Sequence, residues 1–377
     1  MEVLFVSHKF PPATGGMEKQ SYELIMGMAK YCKVHLIVYD GQGSVLRFFG
    51  SLQKRIVNLC RENPGIEIIH FNDGLLAAFC LWHKGYPGLK RTVTLHGLDV
   101  VFPSKIYHRY ILPRFSRFNK LIAVSQATAE KIIDLGIRRE RVEVIKNGVD
   151  THMQKPILKR ENMDAGGKRI LVMMGRPVIR KGISWFISQV LPFLEGNFLV
   201  LIIGPFDHKQ SVTESLLSTL PKRIRNKIML FLGYPSDQGT IRKLLKDPKY
   251  KDSIKHLGRL PLDEVQEILA ASDVFLMPNI KVDGDMEGFG LVCLEAAVLG
   301  AVVFASDIDG IPDAIQHQKN GFLVASERPD VWGKKLNHLI ENPGEYKKYS
   351  NDFSKYTVEN YSWEKMVESY YQLFLSL

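Results

Sequence analysis

The residues best placed to do chemistry lie in one stretch, Gly284 to Gly300, which reads GDMEGFGLVCLEAAVLG. Glu287 stands in a glycine-flanked turn, and Glu295 stands inside an apolar run from Leu291 to Leu299. Such a run reads as a helix buried on all sides, and an ionised carboxylate inside it needs a partner to offset the cost of burial. Gly288, Phe289 and Gly290 lead into the helix. Glycines there let backbone N–H groups approach a ligand, and a helix N-terminus attracts anions. The stretch therefore offers an anion seat with one carboxylate before it and one after it.

Other residues of matching chemistry follow apolar, strand-like runs. Gly175 to Gly182 reads GRPVIRKG, in which Arg176 brings a planar fork suited to phosphate oxygens and Lys181 a compact charge. His96 and Asp99 follow the run Thr92–Leu95, where the carboxyl end of a parallel strand puts ligand-facing groups. Gly15 and Gly16 open a helical pattern and make a second oxygen seat. They do not form the G-x-G-x-x-G dinucleotide fingerprint, and no acidic residue ends the second strand as a dinucleotide site requires. Asp283-Gly284-Asp285 resembles a metal-holding Asp-x-Asp, but beside Arg and Lys phosphate ligands it reads as a solvated acidic turn, and no metal is expected.

Apolar strands alternating with helical segments must position these groups. Glu2–Ser7, Val34–Tyr39, Ile66–Phe71, Thr92–Leu95, Leu121–Ser125 and Val142–Ile145 read as buried strands, with helical patterns at Glu18–Lys30, Val45–Arg61 and Gln126–Leu135. The pattern restarts with Arg169–Met174, Phe198–Ile203, Ile228–Leu232, Val274–Met277 and Ala301–Ala305. The expected fold class is α/β: two doubly wound, Rossmann-like domains facing a cleft. The expected boundaries are a first domain over 1–155, a linker over 156–168, a second domain over 169–358 and a C-terminal helical segment over 359–377. The last helix, Trp363–Leu375, carries a wide apolar face that needs something to pack on.

Composition narrows the class. The 377 residues are 45% hydrophobic and 24% charged, an ordinary globular balance with enough apolar residues for two cores. Four cysteines without C-x-x-C spacing suggest a reducing, intracellular setting. Met1 leads straight into a strand-like run rather than a signal peptide, and no apolar stretch reaches membrane-spanning length. Residues 1–155 hold 22 Lys and Arg against 13 Asp and Glu, so nearly all of the net charge of +10 lies there. That excess points to an anionic partner. Lys105, Arg109, Arg114, Arg117 and Lys120 alternate with Tyr107, Tyr110, Phe115 and Phe118, a composition suited to an anionic membrane surface, although Pro113 interrupts any single amphipathic helix.

Taken together, these pieces resemble the retaining glycosyltransferases of family 4, with the two-domain GT-B fold. The resemblance runs almost the full length through Gly15-Gly16-Met17-Glu18, Thr94-Leu95-His96-Gly97-Leu98-Asp99, Ala123-Val124-Ser125, Ile145-Lys146-Asn147-Gly148-Val149-Asp150, Gly175-Arg176 with Lys181-Gly182, Gly258-Arg259-Leu260-Pro261, Ala271 to Pro278, and Glu287-Gly288-Phe289-Gly290 with Glu295-Ala296. The resemblance implies a nucleotide-sugar donor (UDP first, GDP next), no metal or organic cofactor, and a glycan or lipid-linked acceptor held by the first domain. It implies that Arg176 and Lys181 bind the diphosphate, Glu287 the transferring sugar and Glu295 the ribose. Gly15, Gly16, Phe289, Gly290 and Leu291 would approach the diphosphate through backbone groups. Arg259 and Leu260 would meet the base, while His96 and Asp99 would line the acceptor side, His96 near the reacting carbon. The last helix would cross back to the first domain. The cysteine usage and the basic first domain, rather than the resemblance, add an expected setting that is cytoplasmic and peripheral on an inner membrane face, with a lipid-linked acceptor used in building a surface polysaccharide.

One departure is a doubled strand end, Phe231-Leu232-Gly233-Tyr234-Pro235 and His256-Leu257-Gly258-Arg259-Leu260-Pro261, of which the second is read as the base contact. Two other functional classes remain open. One is a different reaction on the same fold, such as nucleotide-sugar epimerisation or phosphorolysis of a glycan, the latter without a pyridoxal-lysine motif here. The other is a basic nucleic-acid-binding protein, for which no nucleic-acid module is present and which would leave Arg176, Lys181, Glu287 and Glu295 unexplained.

Overall fold

The computed structural model describes residues 1–153, 166–206 and 236–377. Its chain separates into two compact units, one of Met1–Val149 with Tyr361–Leu377 and the other of Asp150–Asn360. The linker expected over 156–168 falls mostly outside the described residues, as do Ile228–Leu232 and the first of the two strand ends.

The first unit holds a six-stranded parallel sheet in the order β2-β1-β3-β4-β5-β6. Its strands are β1 Glu2–Ser7, β2 Lys33–Val38, β3 Ile66–Phe71, β4 Lys90–Leu95, β5 Lys120–Ala123 and β6 Val142–Val144. Val3 to Val6 of β1 are wholly buried, as befits a central strand covered on both faces. Helices α1 Gly16–Met28, α2 Val45–Glu62 and α3 Gly74–Cys80 follow β1, β2 and β3. Asp73 caps α3, its carboxylate accepting from Leu76 N at 2.9 Å.

The helix Trp363–Leu375 packs on this first unit. Its Tyr370 hydroxyl lies 2.8 Å from Thr94 Oγ1, and Phe374 packs against Phe5 and His70. A Cβ on Gly27 of α1 would sit 2.5 Å from Val367, so glycine there lets the two helices touch. Gly148 does the same for the returning chain, since a Cβ would lie 2.4 Å from the Ser362 carbonyl carbon.

The second unit repeats the parallel pattern in the order β12-β11-β10-β7-β8-β9. The strands are β7 Arg169–Met174, β8 Phe198–Ile203, β9 Ile254–Gly258, β10 Val274–Met277, β11 Val302–Ser306 and β12 Phe322–Val324. β12 was not evident from the sequence, because three residues carry too little periodicity to mark a strand.

The segment Tyr107–Lys120 departs from expectation. It forms a π turn over Tyr107–Ile111 and a 3-10 turn over Leu112–Arg117, with proline opening the second. Phe115 and Phe118 are buried in the core, and the Tyr107 hydroxyl donates to the Asp99 carbonyl at 2.9 Å. Of the four aromatics only Tyr110 is exposed. Apolar packing drew the rings inward, so this segment presents no aromatic belt. Among the described residues no helix is long and apolar enough to cross a membrane.

Candidate active site

Three loops converge in the second unit. The loop after β7 runs from Gly175 to Gly182 and closes in a 3-10 turn, Ile179–Lys181. Gly182 has φ 65, and a Cβ there would lie 1.9 Å from the Pro278 carbonyl oxygen. Only glycine allows this loop to lie against the one after β10. That contact delivers Arg180 and Lys181 to Asn279, Asp285 and Glu287.

Glu287 is the hub. Its Oε2 accepts from Lys181 Nζ at 2.7 Å, from Asn279 Nδ2 at 3.2 Å and from the Arg180 guanidinium. Arg180, with 10% of its side chain exposed, also sets its Nε 3.2 Å from Asp285 Oδ1. Burial pushes the Glu287 carboxyl up, but Arg180 and Lys181 with their hydrogen bonds overcome it and hold the group well below the usual carboxylate range. The Glu287 backbone is braced as well: its N–H donates to Asp309 Oδ2 at 3.0 Å, and its carbonyl accepts from Gly310 N at 3.0 Å. Asp309 takes up φ 54 to make that contact. All three side-chain donors fall on Oε2, which leaves Oε1 to accept from elsewhere. Lys181 spends one of its three N–H donors on Glu287 and keeps two.

Two expectations are corrected here. Asp283-Gly284-Asp285 is not a wholly solvated turn: Asp283 is exposed, but Asp285 is mostly buried against Arg180 because a buried guanidinium requires carboxylate partners. The helix Leu291–Leu299 is not buried all round either. Leu291, Val292 and Glu295 form a partly exposed stripe at helical spacing, so the Glu295 carboxylate is only half-buried.

The helix begins at Gly290, whose φ of 95 favours glycine, and no side chain caps its N-terminus. α1 likewise starts from Gly15 without a side-chain cap, with Gly15 and Gly16 exposed. Both glycine-led helices thus leave first-turn N–H groups open to an oxygen ligand, while α3 has its own cap in Asp73. Phe289 is buried, so only its backbone is available, and Leu291 opens the helix.

The remaining expected residues of the second unit lie outside the Glu287 hydrogen-bond cluster. Arg176 is exposed and makes no side-chain bond among the described residues. Arg259 is exposed and Leu260 half-buried beyond β9, with the strand β8 between β9 and β7. Near them His256 stacks on Phe206 at 3.6 Å between ring centroids, and Arg242 lies over the Phe206 ring.

In the first unit the strand ends gather imidazoles and carboxylates. His96 Nε2 lies 2.8 Å from the Asn72 carbonyl and must carry its proton there, which leaves Nδ1 as an acceptor in the neutral ring. The His96 backbone N–H donates to Asp99 Oδ2 at 2.8 Å. Burial pushes the Asp99 carboxyl up, His96 drawing it back. Next to them, His8 Nδ1 lies 2.8 Å from Asp73 Oδ2, with Asp73 fully buried. Sequence reading missed Arg180, Asn279, Asp309, the ion pair that Asp285 makes, and the pairing of His8 with Asp73. An arginine beside a lysine and an aspartate two residues before a glutamate are visible in the chain; that they meet is not.

Comparison with known proteins agrees with the α/β architecture of two parallel sheets. Residues 154–359 match the family model described as glycosyl transferases group 1, and residues 14–153 match glycosyltransferase family 4. The chain is similar to alpha-maltose-1-phosphate synthase of Mycolicibacterium smegmatis, 22% identical over 99% of each chain. It is also similar to the GDP-mannose-dependent alpha-(1-6)-phosphatidylinositol monomannoside mannosyltransferase of Mycobacterium tuberculosis, 24% identical over 87% of this chain and 86% of that protein. Among solved structures, HepE from Anabaena in complex with UDP and glucose superposes with a TM-score of 0.75 at 18% identity, covering 100% of both chains. Sucrose-phosphate synthase from Thermosynechococcus elongatus follows at 0.74 and 17%, again covering 100% of both.

Proposed function

The chain belongs to the group 1 glycosyl transferases, and from that membership we propose that it moves a sugar from a nucleotide-sugar donor to an acceptor with retention of configuration at the anomeric carbon. UDP is the favoured nucleotide, supported by the UDP held in HepE, and GDP the next, supported by the name of the mycobacterial mannosyltransferase. The second unit takes the donor and the first the acceptor, a glycan or lipid-linked precursor of a surface polysaccharide.

The observation that carries the reading is the convergence of Lys181, Asn279 and Arg180 on one oxygen of Glu287, beside the uncapped helix start at Gly290. Diphosphate oxygens would meet the helix N–H groups, the two free Lys181 donors and Arg176. Glu287 Oε1 would accept from hydroxyls of the transferring sugar, and Glu295 from the ribose. Arg259 and Leu260 would contact the base. The acceptor hydroxyl attacks the anomeric carbon on the face from which the diphosphate leaves. The bond from that carbon to the diphosphate oxygen breaks, the new C–O bond forms, and the hydroxyl proton passes to the departing diphosphate. His96, on the acceptor side with Asp99, offers Nδ1 as an acceptor for a hydroxyl. The charge on the leaving group is assigned to Lys181 and Arg176, and no metal is assigned a role. In this proposal the enzyme acts in the cytoplasm.

The test is release of nucleoside diphosphate from a panel of UDP- and GDP-sugars, with and without candidate acceptors. Acceptor-stimulated release supports transfer. Sugar isomerisation without release would make the enzyme an epimerase instead.

A further inference from the structure

Helix α3 buries one side and leaves the other bare. Leu75 and Phe79 stand at i and i+4 on one face of α3, Trp82 follows in the turn just past its end, and all three are exposed, Trp82 by 56%. The same face continues onto α2. The Phe79 ring lies 5.2 Å from that of Phe49, and Leu46, one turn before Phe49, is 83% exposed. Gln53 of α2 reaches the Lys84 carbonyl at 3.1 Å, which holds the end of this face to the same helix. Leu46, Phe49, Leu75, Phe79 and Trp82 thus form one apolar strip across two helices. A strip of this kind on a folded unit marks an interaction surface.

The charge around the strip selects the occupant. Arg47, Lys54, Lys84 and Arg55 flank it and are exposed. Over residues 41–129 the only acids are Glu62 at the far end of α2, Glu67 on β3, and Asp73 and Asp99, which are tied up at the strand ends by His8 and by the His96 backbone. Asp40 precedes α2 and lines the cavity beside Leu46. Beside Leu46, an open cavity of about 770 Å³ is lined by residues that include Tyr39, Ser44, Arg47, Ser51 and Arg55. That volume lies within the usual range of small-molecule pockets. A second copy of this positively charged face would be repelled by it. A second exposed strip, Tyr22 and Met26 on α1, has Glu18 and Glu23 beside it and lacks this bias.

We propose that the α2–α3 strip docks on an anionic lipid leaflet, with Phe79, Trp82, Leu75 and Leu46 entering the interface and Arg47, Lys54 and Lys84 meeting lipid phosphates. Tryptophan and phenylalanine suit the headgroup level, and basic side chains add attraction that salt screens. This seat differs from the 105–120 segment expected from sequence, whose phenylalanines are in the core. It deepens the acceptor reading above by giving a membrane-anchored acceptor a place to arrive. Its test reads vesicle binding without turnover, so the two readings fail separately.

The full chain is sedimented with vesicles of phosphatidylcholine alone and of equal parts phosphatidylcholine and phosphatidylglycerol. Binding is expected on the anionic vesicles and is expected to fall steeply as salt shortens the screening length from about 10 Å at 0.1 M to about 3 Å at 1 M. Phe79→Ser with Trp82→Ser should weaken it about tenfold or more, because most of the buried apolar area is lost. Arg47→Gln with Lys84→Gln should remove the preference for anionic lipid. Tyr22→Ser with Met26→Ser should change nothing. All of these side chains are exposed, and an unchanged melting curve verifies each fold. Equal binding to both vesicles, no binding, or loss only in the Tyr22/Met26 variant overturns the proposal. So does a concentration-dependent dimer that Phe79→Ser with Trp82→Ser abolishes, since the strip would then be a contact between copies of the chain.

Discussion

Arg180 and Asp285 form a mostly buried ion pair, Nε to Oδ1 at 3.2 Å, and the same guanidinium donates to Glu287. Arg180 therefore ties the turn that carries Glu287 to the loop that carries Lys181. It touches no place assigned to the donor, so it acts by positioning Glu287 and keeping it ionised.

Arg180→Met should lower kcat by about 10²-fold, the size of loss a misplaced reacting group produces. It should also move the acid limb of the pH–rate profile. Burial pulls the Glu287 carboxyl up while Arg180 and Lys181 pull it down, so losing one cation raises it and the ionised form disappears at a higher pH. The other groups facing Glu287 are Asp285, Asp309, Asn279 and Cys293, of which only the first two are acids near it. Arg180→Lys should restore part of both effects. An acid limb that stays in place while kcat falls would make Arg180 a purely structural residue.

For Lys181→Ala and Arg176→Ala, kcat should drop about 10²–10³-fold each, the usual loss for one preorganised charge-stabilising donor. Lys181 sits within the Glu287 network while Arg176 stands free in the described residues, so Lys181→Ala should also shift the pH profile and Arg176→Ala should not. Turnover near that of the unaltered protein in either variant removes that residue from the diphosphate site.

The two glutamates should separate kinetically. Glu287→Gln is expected to lower kcat with donor affinity kept, because its free oxygen is assigned to the transferring sugar. Glu295→Gln, on the half-exposed stripe of its helix, is expected to raise the donor Kd with kcat largely kept. Matching kinetic changes in the two variants would contradict the separate assignments.

His70 gives a pH dependence of stability. It is wholly buried with Nδ1 2.8 Å from Thr92 Oγ1 and Nε2 3.1 Å from Thr94 Oγ1. Burial first, then the charge of His96, lowers its pKa from 6.5 to about 3. The unfolded chain takes up the proton first, so stability should be lost as pH falls from about 6.5 toward 3, with a slope approaching about 1.4 kcal/mol per pH unit. Urea unfolding of His70→Gln should show a shallower slope over that window. Identical slopes would rule His70 out as the source.

Much of this molecule is written in local pattern. A strand such as Glu2–Ser7 or Phe198–Ile203, covered on both faces, needs a continuous apolar run, and that run is visible without any neighbour. Alternation of such runs with helices implies two parallel sheets, and the apolar face of Trp363–Leu375 announces that the last helix must be covered. The glycines before Leu291 and the two glutamates are equally local. Tertiary structure alone decided which groups meet. Gly182 brings Lys181 to Glu287 because a Cβ there would collide with Pro278, a residue almost a hundred positions away. Asp285 reads as an acidic turn until Arg180 arrives, since a charge's cost depends on what lies across from it rather than on its neighbours in the chain. Phe115 and Phe118 read as surface aromatics until the core takes them, while Phe79 and Trp82 stay outside. Burial of a side chain is set by the three-dimensional neighbours that compete for it, and a linear pattern records only half of that competition.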